Sequence, residues 1–429
     1  MSDDPAAVRA ATPQVFVATL LRPAGGTGIQ THCRLLLREA RALGVPAQLV
    51  TPFDLSPLVF VPTFGFGRVL KLVRPAWWAW WYRRGHFALL RRRLTACLPR
   101  ETRTVVYAQD PLSARAALDL RRAGWDVRVV LVIHYNRSQA DEWVAGGFIR
   151  RGGRLYREIV RLEREVLPAV DHLIVPSDFM GHEVLARVPS VAGVPTTRVP
   201  NGAGDPTAGL TRVDRNAAAA APGPPAGDLL SIGALEPRKN HAFLLRVLAA
   251  CHRAGHPYRL AIAGEGPLRG DLEALAARLG LTRHVTLLGN VPDAARLLPR
   301  YRAYVHGATL ENLPIAFLEA LAAGRPLFAA AVGGIPEVFT DGVEGRHWKL
   351  TDPRGAAEML SAVLESPTVY AAYARAARAR YEAYFTPAHV VPPLLGAVLG
   401  IETQNRYAWP VAHASEPLPP GAAPAAVLA

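Results

Sequence analysis

Residues 311–319 read ENLPIAFLE and hold two carboxylates, Glu311 and Glu319, eight positions apart. The run before them, 301–306, reads YRAYVH and has the β-prone composition of a short strand. The apolar run 315–322 then predicts a helix. The stretch therefore predicts a strand-to-helix junction, with Glu311 on the loop and Glu319 on the helix.

Two carboxylates at such a junction can hold two hydroxyl-bearing groups of one extended polar ligand. A carboxylate accepts hydrogen bonds from vicinal hydroxyls, which sugars supply in abundance. The alternative is that both residues are charges on a solvated helix face, and the pair alone leaves that alternative open.

Length and composition limit the classes of protein that fit. The 429 residues predict two domains rather than one core. Half of the residues are hydrophobic, yet no run of about 18 apolar residues is free of charge, so we expect no membrane-spanning helix. The amino terminus is acidic and lacks the order of a secretory signal. Cys33, Cys97 and Cys251 are far apart and odd in number, which predicts no disulfide or zinc framework and fits a reducing cytoplasmic location.

The formal net charge is +14. Nucleic acid, anionic lipid or a phosphorylated small molecule would each suit such an excess of positive charge. A coding bias toward Ala and Arg is a further explanation, so charge alone does not choose a partner.

Apolar runs separated by helical patterns indicate parallel sheets covered by helices on both faces. Predicted strands lie at 14–20, 47–50, 104–108, 127–133 and 172–175, and in the second half at 229–233, 258–263, 284–288, 302–306 and 326–330. Predicted helices lie at 29–43, 111–123, 154–167 and 178–187, with a helical pattern over 366–400. The fold class is therefore α/β, with two doubly wound, Rossmann-like domains facing across a cleft.

The predicted domain boundaries follow from this alternation and from one low-complexity stretch. Residues 13–205 form the first domain, 206–227 an Ala-, Pro- and Gly-rich linker, 228–385 the second domain, 386–405 a helix returning to the first domain, and 406–429 a disordered tail.

Ligands of open α/β sheets bind outside the carboxyl ends of the strands. Residues at the end of a predicted strand or in the loop after it include Gly25, Gly26, His134, Gly233, Gly264 and Glu311. Glycines between a strand and a helix let a backbone approach a phosphate, although such a turn alone is a weak signal. A lone His at a strand end, such as His134, is more often structural than catalytic.

Arg238 and Lys239 precede a helix predicted from Asn240 to Cys251. Two cations beside a helix amino terminus suit a diphosphate. They oppose the helix dipole, which favours a ligand over the alternative of solvated surface charges.

Residues 67–103 contain ten Lys or Arg and one acid, interleaved with aromatic side chains that include Trp77 and Trp78. Cationic Trp-rich segments bind anionic bilayer surfaces, and Arg with aromatics can also bind single-stranded nucleic acid. A helical hairpin packed on the domain, with Trp in the core and Arg in solvent, is the structural alternative. We expect membrane or acceptor contacts from Trp77, Trp78, Arg83 and Arg84.

Taken together, several ordered motifs resemble the retaining glycosyltransferases of family 4, which have the two-domain GT-B fold. In the second half they are SIGALEPRKN (231–240), AGEGP (263–267), LLGNV (287–291), ENLPIAFLEALAAGRPL (311–327) and GGIPEV (333–338). In the first half they are GGTGIQTH (25–32), IHYN (133–136), PSDF (176–179) and VPNG (199–202). The family often has Arg where this chain has Ala234, so one phosphate contact is missing or supplied elsewhere.

The resemblance implies a role for each matching residue. The catalytic set is His134, Arg238, Lys239 and Glu311, in which the two cations bind the donor diphosphate and Glu311 binds the transferred sugar. The donor-binding set is Gly25, Gly26, Gly233, Gly264, Asn290, Val291, Asn312, Leu313, Pro314, Ile315 and Glu319, with Glu319 on the ribose and the backbone of 290–291 near the base.

The resulting prediction is retaining, metal-independent transfer of a hexose-type sugar from a nucleotide diphosphate sugar to an acceptor hydroxyl, with no cofactor. The expected acceptor is lipid-linked or a cell-surface glycan precursor, the expected partner surface is an anionic membrane at the inner face of the plasma membrane, and no nucleic acid is expected. A nucleotide-sugar epimerase of similar fold and a non-catalytic sugar-nucleotide-binding scaffold are the alternatives.

Overall fold

The computed structural model describes residues 13–73, 75–208 and 227–401. These residues form two six-stranded sheets in which every strand pairing is parallel. The predicted α/β architecture of two doubly wound domains is therefore confirmed.

The first sheet has the order β2-β1-β3-β4-β5-β6. Its strands are β1 (Gln14–Ala18), β2 (Ala47–Val50), β3 (Thr104–Ala108), β4 (Val127–Val132), β5 (His172–Val175) and β6 (Thr196–Arg198). The helices of this half are α1 (Gly28–Ala42), α2 (Pro57–Val73), α3 (Pro75–Cys97), α4 (Pro111–Arg122), α5 (Gln139–Ala145), α6 (Arg154–Val166) and α7 (Asp178–Arg187).

The second sheet has the order β12-β11-β10-β7-β8-β9. Its strands are β7 (Leu229–Ile232), β8 (Leu260–Ala263), β9 (Val285–Gly289), β10 (Ala303–His306), β11 (Leu327–Ala329) and β12 (Gly345–His347). The remaining helices are α8 (His241–Arg253), α9 (Arg269–Arg278), α10 (Ile315–Ala322), α11 (Ile335–Val338), α12 (Pro353–Leu364), α13 (Pro367–Tyr384) and α14 (Pro387–Leu399).

The central strands of each sheet are buried on both faces, which explains their nearly continuous apolar runs. In β1, Phe16 and Ala18 belong to the core on one face, and Val15 and Val17 belong to the core on the other. Several helix starts are set by side-chain caps, as at Thr27, whose hydroxyl and Gln30 form a reciprocal capping box. Local sequence therefore fixes where these helices begin.

The helix α14 crosses back to the first domain. Its residues Val390, Leu394 and Val398 pack in the same core as Val15 and Val105 of the first sheet. The linker residues 209–226, the last residues 402–405 of the predicted returning segment and the predicted tail 406–429 lie outside the described residues.

Among the described residues, no helix combines the length and apolarity needed to cross a bilayer. Cys33, Cys97 and Cys251 are all free thiols, as their spacing predicts.

Candidate active site

The order of the second sheet reverses between β10 and β7, and open α/β sheets bind ligands at such a point. The loops that follow these two neighbouring strands carry three of the predicted catalytic residues. Arg238 and Lys239 lie after β7, and Glu311 lies after β10. The fold therefore brings together residues that are about 70 positions apart in the chain.

Glu311 is the centre of an ion-pair cluster. Its Oε1 forms an ion pair with Nζ of Lys239, and its Oε2 lies 3.1 Å from Nη1 of Arg238. Nε2 of His306 lies 3.1 Å from Oε1, and Arg238 also bonds Oε1 of Glu236 at 3.0 Å. Two cations and two carboxylates thus balance each other's charge at the edge of the sheet.

Glu311 is only 5% exposed. Burial alone would raise its pKa, but its two cationic neighbours and the hydrogen bond from His306 hold the pKa well below its ordinary value. Burial lowers the pKa of His306, so that ring is neutral near pH 7. Because a carboxylate can only accept, Nε2 of His306 carries the proton and donates it to Glu311.

The cations do not stand on the first turn of the following helix, which corrects the predicted helix start at Asn240. Pro237–Lys239 form a short 3-10 turn, Asn240 takes a left-handed conformation with φ 47°, and α8 begins at His241. This break turns the loop so that Lys239 points back to the end of β10. The side chains of Arg238 and Lys239 therefore meet Glu311 rather than solvent.

Glycines allow the loops of this edge to touch. A Cβ at Gly264 would lie 1.9 Å from the carbonyl oxygen of Gly233, so only a glycine at position 264 lets these two loops touch. Gly333 has φ +59°, and a Cβ there would lie 1.9 Å from the carbonyl oxygen of Glu311. A larger residue at position 333 would displace the loop that carries Glu311.

The first-domain side of the cleft presents two imidazole rings, those of His32 and His134. Nε2 of His134, just after β4, lies 2.9 Å from Oε1 of Gln109, which follows β3. The ring of His32, on α1, packs edge-on against His134 at a centroid distance of 5.0 Å, and its Nε2 lies 3.0 Å from the hydroxyl of Tyr107. Burial and the neighbouring ring lower the pKa of His134 well below its ordinary value, and burial lowers the pKa of His32 to about 4. Both rings are therefore neutral near pH 7.

The glycine-rich loop is held by one side chain. Nε2 of Gln30 donates to the carbonyl oxygens of Arg22 and Ala24 at 2.8 and 2.9 Å, and its Oε1 accepts from the backbone of Thr27 at 3.1 Å. Apart from the chain neighbours of Gly26, no atom of the described residues lies within 4 Å of where its Cβ would be, so this part of the loop has room for a ligand.

The rest of the predicted donor set lies around α10. Pro314 is the residue before the helix, and Ile315 comes within 3.6 Å of where a Cβ of Gly28 would be, so the glycine loop reaches the start of α10. Burial, with a smaller effect from Asp293, raises the pKa of Glu319 to about 7. Asn290 and Val291 follow β9 at the same edge.

Asn312 and Leu313, both in the predicted donor-binding set, make hydrogen bonds to first-domain residues. Oδ1 of Asn312 accepts a hydrogen bond from Oγ of Ser177 at 2.6 Å, and its Nδ2 donates to the carbonyl oxygen of Tyr135 at 3.3 Å. The carbonyl oxygen of Leu313 accepts from Nδ2 of Asn201 at 2.7 Å, and its side chain is buried in the second core. Both residues are thus engaged by the first domain, which leaves their remaining backbone groups for a donor.

The basic, Trp-rich segment forms the hairpin α2–α3, and its four predicted surface residues divide into two pairs. Trp77 is 62% exposed, and the Arg84 side chain is 61% exposed. Arg83 is only 6% exposed and donates to Oε1 of Gln139 at 2.8 Å, and Trp78 packs on Phe148 of the same domain. Packing turns Arg83 inward, which is at odds with its predicted membrane contact, whereas Trp78 is half-buried.

Several residues of the site were not predicted. His306 ends β10 and has the sequence signal of a strand residue, and Gln109 and His32 stand in a strand end and a helix without a distinctive pattern. Only their tertiary neighbours, Glu311 and His134, reveal their roles.

Comparison with known proteins agrees with this geometry. Residues 26–203 match the family described as Glycosyltransferase Family 4, and residues 218–380 match the family described as Glycosyl transferases group 1. Together the two matches span both domains.

Curated relatives include several glycosyltransferases. A glycogen synthase of Mycobacterium tuberculosis is 29% identical over 292 residues, which cover 66% of this chain and 65% of that protein. A GDP-mannose-dependent alpha-(1-6)-phosphatidylinositol monomannoside mannosyltransferase of Mycolicibacterium smegmatis is 32% identical over 161 residues, which cover 35% of this chain and 42% of that protein. The chain thus spans less than two thirds of the length of these relatives.

Solved structures share the fold. A sucrose-phosphate synthase from Thermosynechococcus elongatus superposes with a TM-score of 0.67 at 17% identity, over 89% of this chain and 97% of that one. Anabaena HepE in complex with UDP and glucose gives a TM-score of 0.62 at 16% identity, over 90% and 99%. At these identities the likeness concerns the fold alone. From its two sequence matches and this architecture, the chain belongs to the family 4 glycosyltransferases and has their two-domain GT-B fold.

Proposed function

We propose that the protein is a retaining glycosyltransferase that moves a hexose-type sugar from a nucleotide diphosphate sugar to an acceptor hydroxyl. The observation that carries the proposal is the pair of adjacent cations, Arg238 and Lys239, held against Glu311 at the switch point of the second sheet. Paired cations in a partly desolvated site suit a diphosphate. The names of the mannosyltransferase and glycogen synthase relatives, and the UDP bound to HepE, support the same class of donor.

In the proposed reaction the donor diphosphate takes over the two cations from Glu311, whose carboxylate then accepts hydrogen bonds from the sugar. The bond between the anomeric carbon and the phosphate oxygen breaks, and Arg238 and Lys239 stabilise the charge that develops on the leaving diphosphate. The acceptor oxygen bonds to the anomeric carbon on the same face, and the leaving phosphate takes the acceptor's proton. The two cations balance this charge without a metal ion or other cofactor. His134 positions the sugar from the opposite wall, and Glu319 holds the ribose.

We further propose that the acceptor is lipid-linked, a precursor of a cell-surface glycan, and is presented at the inner face of the plasma membrane. Exposed apolar side chains along the hairpin α2–α3 support this proposal: Leu58, Val61, Phe66, Trp77 and Trp80. Arg84 lies beside Trp80, with its guanidinium 5.0 Å from the ring centroid. Apolar side chains next to exposed cations suit an anionic bilayer surface.

The experiment is to measure nucleoside diphosphate release from UDP-, GDP- and ADP-sugars, with and without a bacterial membrane lipid extract. Lipid-dependent release from one donor is the expected result. Release with interconversion of the sugar but no glycosylated lipid would indicate an epimerase. Binding of a nucleotide without any turnover would indicate a scaffold and overturn the proposed activity.

A further inference from the structure

Three motifs of the chain meet at the contact between the two domains. They are PSDF (176–179) and VPNG (199–202) of the first domain and GGIPEV (333–338) of the second. None of them carries a group of the Glu311 cluster, and none is needed for the transfer step as proposed. Their side chains nevertheless converge on the loop that follows Glu311.

The first set of contacts ends on this loop itself. Ser177 donates to Oδ1 of Asn312 at 2.6 Å, and the same hydroxyl caps α7 by accepting from the backbone of Met180. Asn201 donates to the carbonyl oxygen of Leu313 at 2.7 Å. Ser177 is fully buried, so its bond to Asn312 is shielded from water.

The second set is made by Glu337, which is 5% exposed. One carboxylate oxygen accepts the backbone N–H of Asp178 and the other that of Phe179, both at 2.8 Å. These two donors are the free amino-terminal groups of α7, so a carboxylate of one domain caps a helix of the other. Arg198 of the first domain lies 3.7 Å from the same carboxylate.

The two sets of contacts are linked, because the second-domain segments that make them are in contact with each other. The backbone N–H of Gly334 donates to the carbonyl oxygen of Glu311 at 2.9 Å, which ties the segment carrying Glu337 to the loop of Asn312. A Cβ at Gly334 would lie 2.0 Å from the carbonyl oxygen of Asn312 and 3.2 Å from Cβ of Ser177, so the two segments and α7 are in direct contact.

This contact fixes the distance between the two walls of the cleft. Nδ2 of Asn312 donates to the carbonyl oxygen of Tyr135. Asn312 is the neighbour of Glu311 in the chain, and Tyr135 is the neighbour of His134. The hydrogen bond between Asn312 and Tyr135 therefore joins the chain neighbours of two proposed catalytic residues, one in each domain.

We infer that Asn312 and Glu337 are positioning residues that set the register of the two domains, and with it the placement of His134 against the Glu311 cluster. This inference rests on the proposed function for its catalytic consequence. It gives Asn312 a role in domain alignment instead of donor recognition. The competing explanation is that these contacts add only stability.

The test compares Asn312→Ala and Glu337→Gln with the wild type and with Glu344→Gln as the matched control. Glu344 is a buried carboxylate of the same domain that accepts the backbone N–H of Thr340 and lies 3.6 Å from Arg380, both of which belong to the second domain. Measured quantities are kcat at saturating donor, the Kd of the matching nucleoside diphosphate, the Tm and the small-angle X-ray scattering profile. All assays are run well below the Tm of every variant.

The expected result is a kcat that falls by about 10- to 100-fold in both variants, because a misplacement of about 1 Å has this effect. The Kd for the nucleoside diphosphate changes by less than about threefold, since the two cations proposed to bind it, Arg238 and Lys239, both lie in the second domain. The scattering of both variants reports a wider distribution of domain distances, and Glu344→Gln keeps the kcat, the Kd and the scattering profile of the wild type.

A lower Tm with unchanged kcat and scattering overturns the inference and leaves a purely stabilising role. An equal loss of kcat and of nucleotide affinity overturns it too, because it would place Asn312 in donor recognition. If the wild type turns over no donor, the proposed function fails, and the scattering then decides: unchanged profiles in both variants overturn the inference independently.

Discussion

The two walls of the cleft differ in their electrostatics. The second-domain wall holds Arg238, Lys239 and Glu311 in a compact cluster whose charges are paired before any ligand binds. The first-domain wall presents His32 and His134, whose buried rings are neutral. The positive charge that could bind a donor diphosphate is thus concentrated in the second domain. The first domain contributes neutral imidazole rings.

The pairing on the second-domain wall explains how two cations can be held in a partly desolvated site before a ligand binds. A buried cation without a partner is strongly destabilising, so Glu311 acts as the counterion until a diphosphate can replace it. A second charged wall would repel or compete with the sugar donor, whereas neutral imidazoles can donate and accept hydrogen bonds to hydroxyls.

The largest expected effect comes from removing a cation of the charged wall. Lys239→Ala should lower kcat/KM by about 10²- to 10³-fold, because a donor that stabilises the leaving group's charge is lost. Steady-state release of nucleoside diphosphate measures this. Lys349→Ala, at an exposed lysine of the same domain, is the control and should turn over normally. Near-normal turnover of Lys239→Ala would contradict the assignment of the charged wall to the donor.

The second prediction separates binding from transfer. Glu311→Gln should reduce transfer by about 10²-fold, and it should tighten binding of the free nucleoside diphosphate because the carboxylate no longer competes for Arg238 and Lys239. Calorimetric titration and turnover of the same variant measure the two effects. Weaker nucleotide binding in Glu311→Gln would show that the carboxylate does not compete with the diphosphate.

The third prediction concerns the neutral wall and pH. The folded pKa of His32 is about 4, below its ordinary 6.5, so the unfolded state binds more protons between these values. The stability contributed by the neutral ring is complete above pH 6.5 and is lost as the pH falls toward 4, by up to about 3 kcal/mol. The pKa values of Glu142 and Glu319 are raised to about 7. These two groups therefore add to the free energy of unfolding as the pH falls from about 7 to 4.5, which is opposite to the effect of His32.

For that reason the measurement is the difference in Tm between the wild type and His32→Gln across pH 4 to 7. The advantage of the wild type over the variant should shrink as the pH falls. A difference that does not vary with pH would mean that the His32 ring is not held neutral by burial.

The smallest effect is expected away from the cleft, where neighbouring residues of α3 face opposite ways. Trp77→Ala with Arg84→Ala should weaken binding to anionic vesicles by roughly fivefold or more, since one cation near such a surface contributes about 1 kcal/mol. Trp78→Ala with Arg83→Ala should lower the Tm instead, because both side chains pack inward. Absence of vesicle binding by the wild type at low salt would remove the membrane proposal.

Much of the fold could be predicted because strands and helices with clear periodicity have local causes. The placement of Glu311 on a loop and Glu319 on a helix is confirmed by the strand–loop–helix order of β10 and α10. The strands β6 and β12 were not predicted, because Thr-Thr-Arg and Gly-Arg-His lack the apolar run that marks the equally short β11.

What the sequence could not reveal depends on packing between distant segments. Arg83 and Arg84 are neighbours with the same chemistry, and only the contact of α3 with Gln139 decides which is buried. Asn312 belongs to a motif typical of a donor site, yet its side chain is taken by Ser177, 135 positions away. Such pairings depend on the tertiary structure and leave no pattern in the local sequence.

The central claim is that Arg238 and Lys239 bind a diphosphate in place of Glu311. The most direct measurement is a calorimetric titration of the wild type and Lys239→Ala with matched nucleoside mono- and diphosphates. The account predicts that the diphosphate binds the wild type at least about tenfold more tightly than the monophosphate, since charge-assisted bonds to the second phosphate are gained, and that Lys239→Ala removes most of this difference. Equal affinities of the wild type for both nucleotides would contradict the account.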